Sequence, residues 1–417
     1  MDRGRIGLAS LGLVAALGGT ARAADAPVTM VEPEPAEYVR VCDVYGKGFF
    51  YIPGTETCLQ FGGYVRFRVG GNSREFTPDP DGPYDAVYGT AMRTRLDMDA
   101  REETELGTLR AKIRLEANQI LSQSAAFTVK EGFLQLGGLT VGTADSLWTN
   151  EDGGVSDGLL LEENDWAAGD FQTNRISYAY SVGKLTGILS VEDDGTGDWR
   201  PDVLGKLVYA DGGLKAYLMG AYDEQQYDGL QGYANYLNRF TGRDPDGAFD
   251  GAIEFQPDNY APGDDAFVLK GGVQLQDLLL DGSIFKVEGH YAFDPSIYAV
   301  VTSLSGSFGF GQSYLDPSVI PSKFQIGAAY SQEVGKFTFV VSGAYGQTED
   351  LNVAYANGVN LAAADGESYF AVGGDINYKV TENFTITGEV TYRDLDLPAG
   401  IDDFDRTFGF LQFRRNF

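Results

Sequence analysis

Histidine and cysteine are almost missing from this chain: one His and two Cys occur in 417 residues. His290, Cys42 and Cys58 cannot build a four-ligand framework, so neither a metal site nor a metal cofactor is expected, and no other cofactor motif stands out. Hydrolytic catalysis needs an activated nucleophile beside a positioned base. With one histidine and no recognisable serine motif, an enzyme is not the expected reading. Basic residues are also scarce: 31 Lys and Arg stand against 60 Asp and Glu, for a formal net charge of −29. That balance argues against nucleic acid as a partner. No apolar run reaches the 18 residues of a membrane-spanning helix, and the mean hydropathy is −0.19. The Asp-rich stretches at 193–202, 223–228 and 244–265 lack the Asp-x-Asp-x-Asp-Gly spacing of a calcium loop, leaving only loose cation bridging between these acids and lipid phosphates.

What the chain does have is alternation. Met92, Thr94, Leu96, Met98 and Ala100 alternate with Arg93, Arg95, Asp97, Asp99 and Arg101. Leu109, Ala111, Ile113, Leu115 and Ala117 then alternate with Arg110, Lys112, Arg114 and Glu116. A side-chain period of two puts each set on one face of a strand. A soluble sandwich would bury the apolar face against a second sheet. A long succession of strands with one apolar and one charged face instead fits a closed barrel, lipid outside and water inside. Barrels of this kind leave a weak hydropathy signal, because half of each strand is polar. The 55 glycines and the 13% aromatic content suit tight turns and interfacial girdles.

Residues 1–23 read as a secretory signal peptide: Arg3 and Arg5, an apolar stretch from Ile6 to Leu17, then Ala21-Arg22-Ala23 as a small-x-small cleavage site. Its removal takes away three Arg and one Asp, moving the formal net charge from −29 to −31. Residues 24–58 are expected to form a periplasmic segment, with an extended Pro- and Glu-rich tail at Val31–Glu37. In an oxidising compartment Cys42 and Cys58 can form a disulfide, worth roughly 3 kcal/mol for the short loop enclosed. Two free thiols are the alternative.

From residue 59 to 417, short and long connections alternate. Short ones fall near Leu106-Gly107, Gly137-Gly138, Gly183-Lys184, Asp211-Gly213, Leu280-Gly282, Gly335-Lys336 and Thr381-Asn383, each with the Gly, Asp or Asn of a tight hairpin. Long ones fall near 71–90, 118–126, 144–172, 193–201, 224–264, 294–321, 348–366 and 395–403. Seven short turns and eight long loops make about 16 antiparallel strands with both ends on one side. That is the arrangement of a multi-pass protein of the bacterial outer membrane, with the short turns periplasmic.

The segment YVRVCDVYGKGFFYIPGTETCLQFGGYVRF, residues 38–67, resembles the opening of the alphaproteobacterial, rhizobial-type general porins: the cysteine pair, the aromatic-Pro-Gly turn and the first strand follow in family order. The resemblance implies a homotrimer of 16-stranded barrels that passes small hydrophilic solutes and ions by passive diffusion. It further implies contact with outer-membrane lipid and lipopolysaccharide, and a third long loop folded into the barrel. The terminal Phe417 resembles the signal read by the barrel-insertion machinery; Arg415 departs from the aromatic or aliphatic residue usual two places earlier.

In such a channel the chemistry is the pore wall. Arg66, Arg68, Arg93, Arg95, Arg110, Lys112 and Arg114 are expected to face inward as a basic wall on three successive strands, partly compensated by Asp97, Asp99 and Glu116. The loop at 144–172 carries acids and no Lys or Arg; Glu151, Asp152, Asp157, Glu162 and Glu163 are the candidates to oppose that wall. Charges so arranged would set a transverse field across the pore. Solvated, salt-bridged strand and loop surfaces are the plainer alternative. The net charge predicts a modest preference for cations that shrinks with salt. His290 falls on the inner face with Lys286 and Glu288. A surface receptor or adhesin using the long acidic loops is the alternative function.

Overall fold

The structure is a computed structural model, and it describes residues 40–73, 87–120, 126–154, 158–161, 172–193, 199–224, 253–257, 265–301, 320–355, 360–364, 366–396 and 404–417. The expected signal peptide and the tail at 31–37 lie outside the described residues. Sixteen strands form one antiparallel barrel. They are β1 (Cys58–Asn72), β2 (Val87–Thr104), β3 (Gly107–Ile120), β4 (Thr128–Leu136), β5 (Leu139–Asp145), β6 (Gln172–Val182), β7 (Leu185–Glu192) and β8 (Asp202–Asp211). The second half is β9 (Leu214–Asp223), β10 (Ala266–Gln276), β11 (Ser283–Ala292), β12 (Ile320–Val334), β13 (Phe337–Thr348), β14 (Ser368–Thr381), β15 (Phe384–Leu395) and β16 (Phe404–Asn416). Each strand pairs with its sequence neighbours, and β1 closes the ring by pairing with both β2 and β16. Phe417 and Gly63 exchange backbone hydrogen bonds of 3.1 and 3.2 Å at that seam.

The strands end where the sequence changes chemistry. All seven short turns stand between the expected strands, and eight longer connections join the other ends. Two boundaries move: β5 runs on to Asp145 and β6 starts at Gln172, so the loop expected at 144–172 occupies 146–171. Cys58, expected just before the barrel, is the first residue of β1. Beyond the barrel, Phe50–Tyr51 pairs with the start of β1, and Val300–Val301 with β12. Ile253–Pro257, Leu351–Tyr355 and Asn360–Ala364 make a separate three-stranded sheet at the long-loop end.

The molecule is apolar outside and polar within. Val129, Leu134, Ile176, Leu218, Ile326, Val341 and Val390 are exposed, while Glu116, Arg175, Lys206, Lys270, Glu389 and Gln412 are buried. Exposing one large aliphatic side chain to water forgoes about 1.5–3 kcal/mol, so a surface of this kind belongs in hydrocarbon. Aromatic clusters mark both rims. Phe337 lies 4.8 Å from Tyr378 and 6.1 Å from Phe339 near the short turns; Phe293 lies 5.0 Å from Tyr291 and 5.7 Å from Phe267 near the long loops. Among the described residues no helix is long and apolar enough to cross a membrane.

Candidate functional site

The period-two pattern of β1–β4 places every expected basic residue on the face opposite Phe61, Phe67, Met92, Ile113 and Leu134, which are exposed outward. Register then pairs the charges. Arg95 stands opposite Glu116 and is bridged to it at 2.9 Å; Arg93 reaches the same carboxylate at 3.1 Å. Arg110 bridges Asp99 at 2.7 Å, Arg114 bridges Asp97 at 2.7 Å, and Lys112 bridges Glu131 at 2.7 Å. Arg114 also pairs with Glu131. Arg68 donates to Gln412 at 2.6 Å and stacks over Phe410, while Arg66 lies between Arg93 of β2 and Arg414 of β16. The basic wall thus carries much of its own counter-charge.

The loop after β5 is tied to inward-facing side chains of eight successive strands. Its Asp152 carboxylate pairs with Arg175 of β6 at 2.7 Å, and the Leu147 N–H donates to Glu192 of β7 at 2.8 Å. Three lysines donate to its backbone carbonyls: Lys206 of β8 to Asn150 at 2.7 Å, Lys215 of β9 to Gly154 at 2.9 Å, and Lys270 of β10 to Trp148 at 3.2 Å. The Gly158 N–H donates to Glu288 of β11 at 3.2 Å, and Leu159 packs on Ala329 of β12 and Ala344 of β13. Leu147 and Trp148 are fully buried among Leu204, Val208, Met219 and Val268, an apolar patch of inward positions. The segment 293–299 joins the same cluster through Tyr298, whose ring lies 5.6 Å from Trp148. Burial, and then the carboxylates of Asp202, Glu192 and Asp223, push the Tyr298 hydroxyl well above its ordinary pKa. It therefore stays protonated and donates to Asp202 at 2.6 Å.

Between wall and loop lies a cavity of ≈490 Å³. It is lined by Arg95, Arg110, Lys112, Arg114 and Arg175 together with Glu131, Asp145, Glu151 and Asp152. The structure thus brings Glu151 and Asp152 to the basic wall; Asp157, Glu162 and Glu163 lie outside the described residues. Sequence reading missed Glu131, Arg175 and Arg414. A bulge in the β3–β4 pairing between Arg114 and Leu115 hides the parity of Glu131. Arg175, alternating with Ile176 and Tyr178, and Arg414, alternating with Phe413, did carry a legible signal. His290 is buried on the inner face and hydrogen-bonds Ser322 at 3.0 Å, which in turn meets the Tyr369 hydroxyl at 2.6 Å.

Cys42 and Cys58 form a disulfide with a Cα–Cα distance of 6.0 Å, buried beside Phe49, Tyr45 and Tyr51 at the start of β1.

Comparison with known proteins gives one answer. The sequence profile of the Porin subfamily matches residues 25–403. Over 257 residues, 55% of this chain and 68% of the relative, the chain is 35% identical to porin Omp2b of Brucella canis, and equally to porin Omp2b of Brucella melitensis. Among solved structures, the outer membrane channel DcaP of Acinetobacter baumannii superposes with a TM-score of 0.60 at 12% identity, over 88% of this chain and 99% of that one. The anion-selective porin from Comamonas acidovorans superposes with a TM-score of 0.51 at 14% identity, over 87% and 100%. At these identities the two structures speak for the fold.

Proposed function

The chain belongs to the Porin subfamily and is an outer-membrane porin, a water-filled channel for small hydrophilic solutes, and we propose that its passage is set between the β1–β4 wall and the loop at 146–171. In this reading the short turns and Cys42–Cys58 are periplasmic, the long loops face outward, and three copies assemble in a membrane of phospholipid and lipopolysaccharide. The barrel-insertion machinery reads the strand ending at Phe417.

The observation that carries the reading is a single cavity lined both by Arg95, Arg110, Lys112 and Arg114 of the wall and by Glu151 and Asp152 of the loop. Opposed charges in a narrow, partly desolvated passage act more strongly than charges on outer loops. They orient dipolar solutes and disfavour apolar ones. Because Arg95, Arg110, Lys112 and Arg114 each have a carboxylate within 3 Å, selectivity between small ions is weak, and the acidic chain leaves a small preference for cations.

Purified protein in a planar bilayer tests both parts. Ohmic current steps appearing in threes are expected. Neutralising Arg93, Arg95 and Arg110 should move the reversal potential in a KCl gradient toward cations, and neutralising Glu151, Asp152, Glu162 and Glu163 should move it back. Unchanged selectivity in both sets would remove the proposed constriction while leaving the channel.

A further inference from the structure

We infer that the turn between β10 and β11 is an apolar foot that seats the barrel in phospholipid, with Leu278, Leu279 and Leu280 entering the interfacial layer beyond the strand ends. This role is separate from solute passage. The turn differs from its six counterparts. Those are two residues each: Glu105-Leu106, Gly137-Gly138, Gly183-Lys184, Gly212-Gly213, Gly335-Lys336 and Glu382-Asn383. They carry one large apolar side chain among them, Leu106. Between β10 and β11 stand six residues, Asp277–Gly282, and three in succession are leucine. These are 53%, 68% and 61% exposed. Closing a hairpin calls for Gly, Asp or Asn, not for leucine. A contiguous apolar patch left on a surface marks a place of contact.

The turn is braced. Asp277, at a φ of +55°, accepts the Gly282 N–H at 2.6 Å, and its own N–H donates to the Ser283 carbonyl at 2.8 Å. The Glu333 N–H of β12 donates to the Gly282 carbonyl at 3.1 Å. Two further bonds show the side to which the turn leans. Lys286, Glu288 and His290 are inward on β11, so Ser283 and Phe285 belong to the outward set. The Leu280 N–H donates to Ser283 Oγ at 3.4 Å. Gln332 of β12 shares the outward parity of Tyr330 and the exposed Ile326, and its amide donates to the Asp281 carbonyl at 2.9 Å. The turn therefore folds toward the lipid face and not over the lumen.

Strand register says what meets it there. Leu214 of β9 pairs with Leu275 of β10, Leu275 with Phe285 of β11, Phe285 with Tyr330 of β12, and Tyr330 with Val341 of β13. These five make an outward apolar row near the short-turn ends of their strands, part of the surface that belongs in hydrocarbon. The three leucines continue that row past the ends of β10 and β11. Phospholipid is the partner this continuity selects. The turn bears Asp277 and Asp281 and no Lys or Arg, so it is suited to acyl chains and not to headgroup phosphate. An apolar extension on one side of the barrel makes the hydrophobic band uneven around the ring, and the bilayer answers such mismatch by fixing depth and tilt.

The full chain with Leu279→Cys, labelled with a thiol-reactive NBD dye while the Cys42–Cys58 disulfide stays closed, tests the foot. Labelled Lys184→Cys, on another short turn, is the control. Both go into vesicles of phosphatidylethanolamine and phosphatidylglycerol, with and without lipid carrying a nitroxide near the top of its acyl chain. A side chain seated at the interface lies about 5–10 Å into the headgroup and acyl boundary, so the nitroxide should quench the Leu279→Cys label about threefold or more beyond the control. Adding Leu278→Ser and Leu280→Ser to the labelled chain should remove about half of that excess or more, because the apolar area that seats the turn is gone. Equal quenching at the two turns overturns the foot. An excess that survives the serine pair overturns it too, since the dye alone then seeks the lipid. A blue-shifted but unquenched label means that a second copy covers the turn, and this also overturns it. Should Leu279→Cys fail to fold, Leu278→Cys with Leu279→Ser and Leu280→Ser as its partner pair decides. A barrel that does not conduct overturns the channel reading and leaves the foot standing.

Discussion

A Cβ at Gly63 would collide with the carbonyl of Arg95, and the residue holds a φ of +152°, so this position in β1 admits glycine for two separate reasons. It is also where β1 meets the last residue of the chain. Gly63→Ala should therefore loosen the closing seam, read as a lower temperature for loss of the folded, fast-migrating band in detergent gels. The disulfide acts nearby. Cys42→Ser with Cys58→Ser should lower stability by about 3 kcal/mol on the loop-entropy estimate, seen as a lower denaturant midpoint, with conductance retained. At this scale the sequence was legible where residue type alone carries the chemistry, as for the cysteine pair and the arginines of β1–β3. It was less so where partner identity matters. Glu131 pairs with Lys112 and Arg114 beside a bulge that no alternation rule anticipates.

Among the elements, the loop after β5 depends most on its contacts. Lysine-to-carbonyl bonds are charge-assisted, each contributing about 1.5–3 kcal/mol, and three of them hold Trp148, Asn150 and Gly154. Lys206→Met with Lys270→Met should free the loop and give noisier single-channel currents with transient closures; currents as quiet as wild type would show that the bonds do not hold it. The segment 293–299 is clasped by Tyr298 on Asp202. The raised pKa of Tyr298 means that this clasp contributes fully below the ordinary tyrosine pKa of 10.0 and is lost only as pH climbs beyond it. Protease resistance of this segment should thus be constant from about pH 6 to 9. Tyr298→Phe should lower it at every pH in that range. The acidic character of the loop after β5 was readable from its composition, but its seat on β6–β13 was not, because six of its holding bonds involve backbone groups or residues distant in sequence.

For the whole molecule, topology gives the sharpest test. A tag inserted at Gly335-Lys336 should stay hidden on intact cells, while one between Tyr355 and Asn360 should be reached by antibody. The reverse pattern would turn the barrel over. The same closure that hides every strand edge makes unfolding cooperative, so a barrel missing its pairing between β1 and β16 should not survive as an open sheet.

The sequence by itself determined the strand number and, where alternation is unbroken, the inward and outward sets. A period of two is a local property, and a turn is written in a few Gly, Asp or Asn residues. Register across the closing seam was decided only in three dimensions, because nothing within β1 or β16 states which of their residues will stand opposite each other. Closure set Arg414 opposite Arg66, a bulge fixed the place of Glu131 beside Lys112 and Arg114, and the loop after β5 brought Trp148 among side chains from β7 to β10. Each of those contacts costs chain entropy over tens or hundreds of residues, which a closed ring of hydrogen bonds can offset and a local pattern cannot.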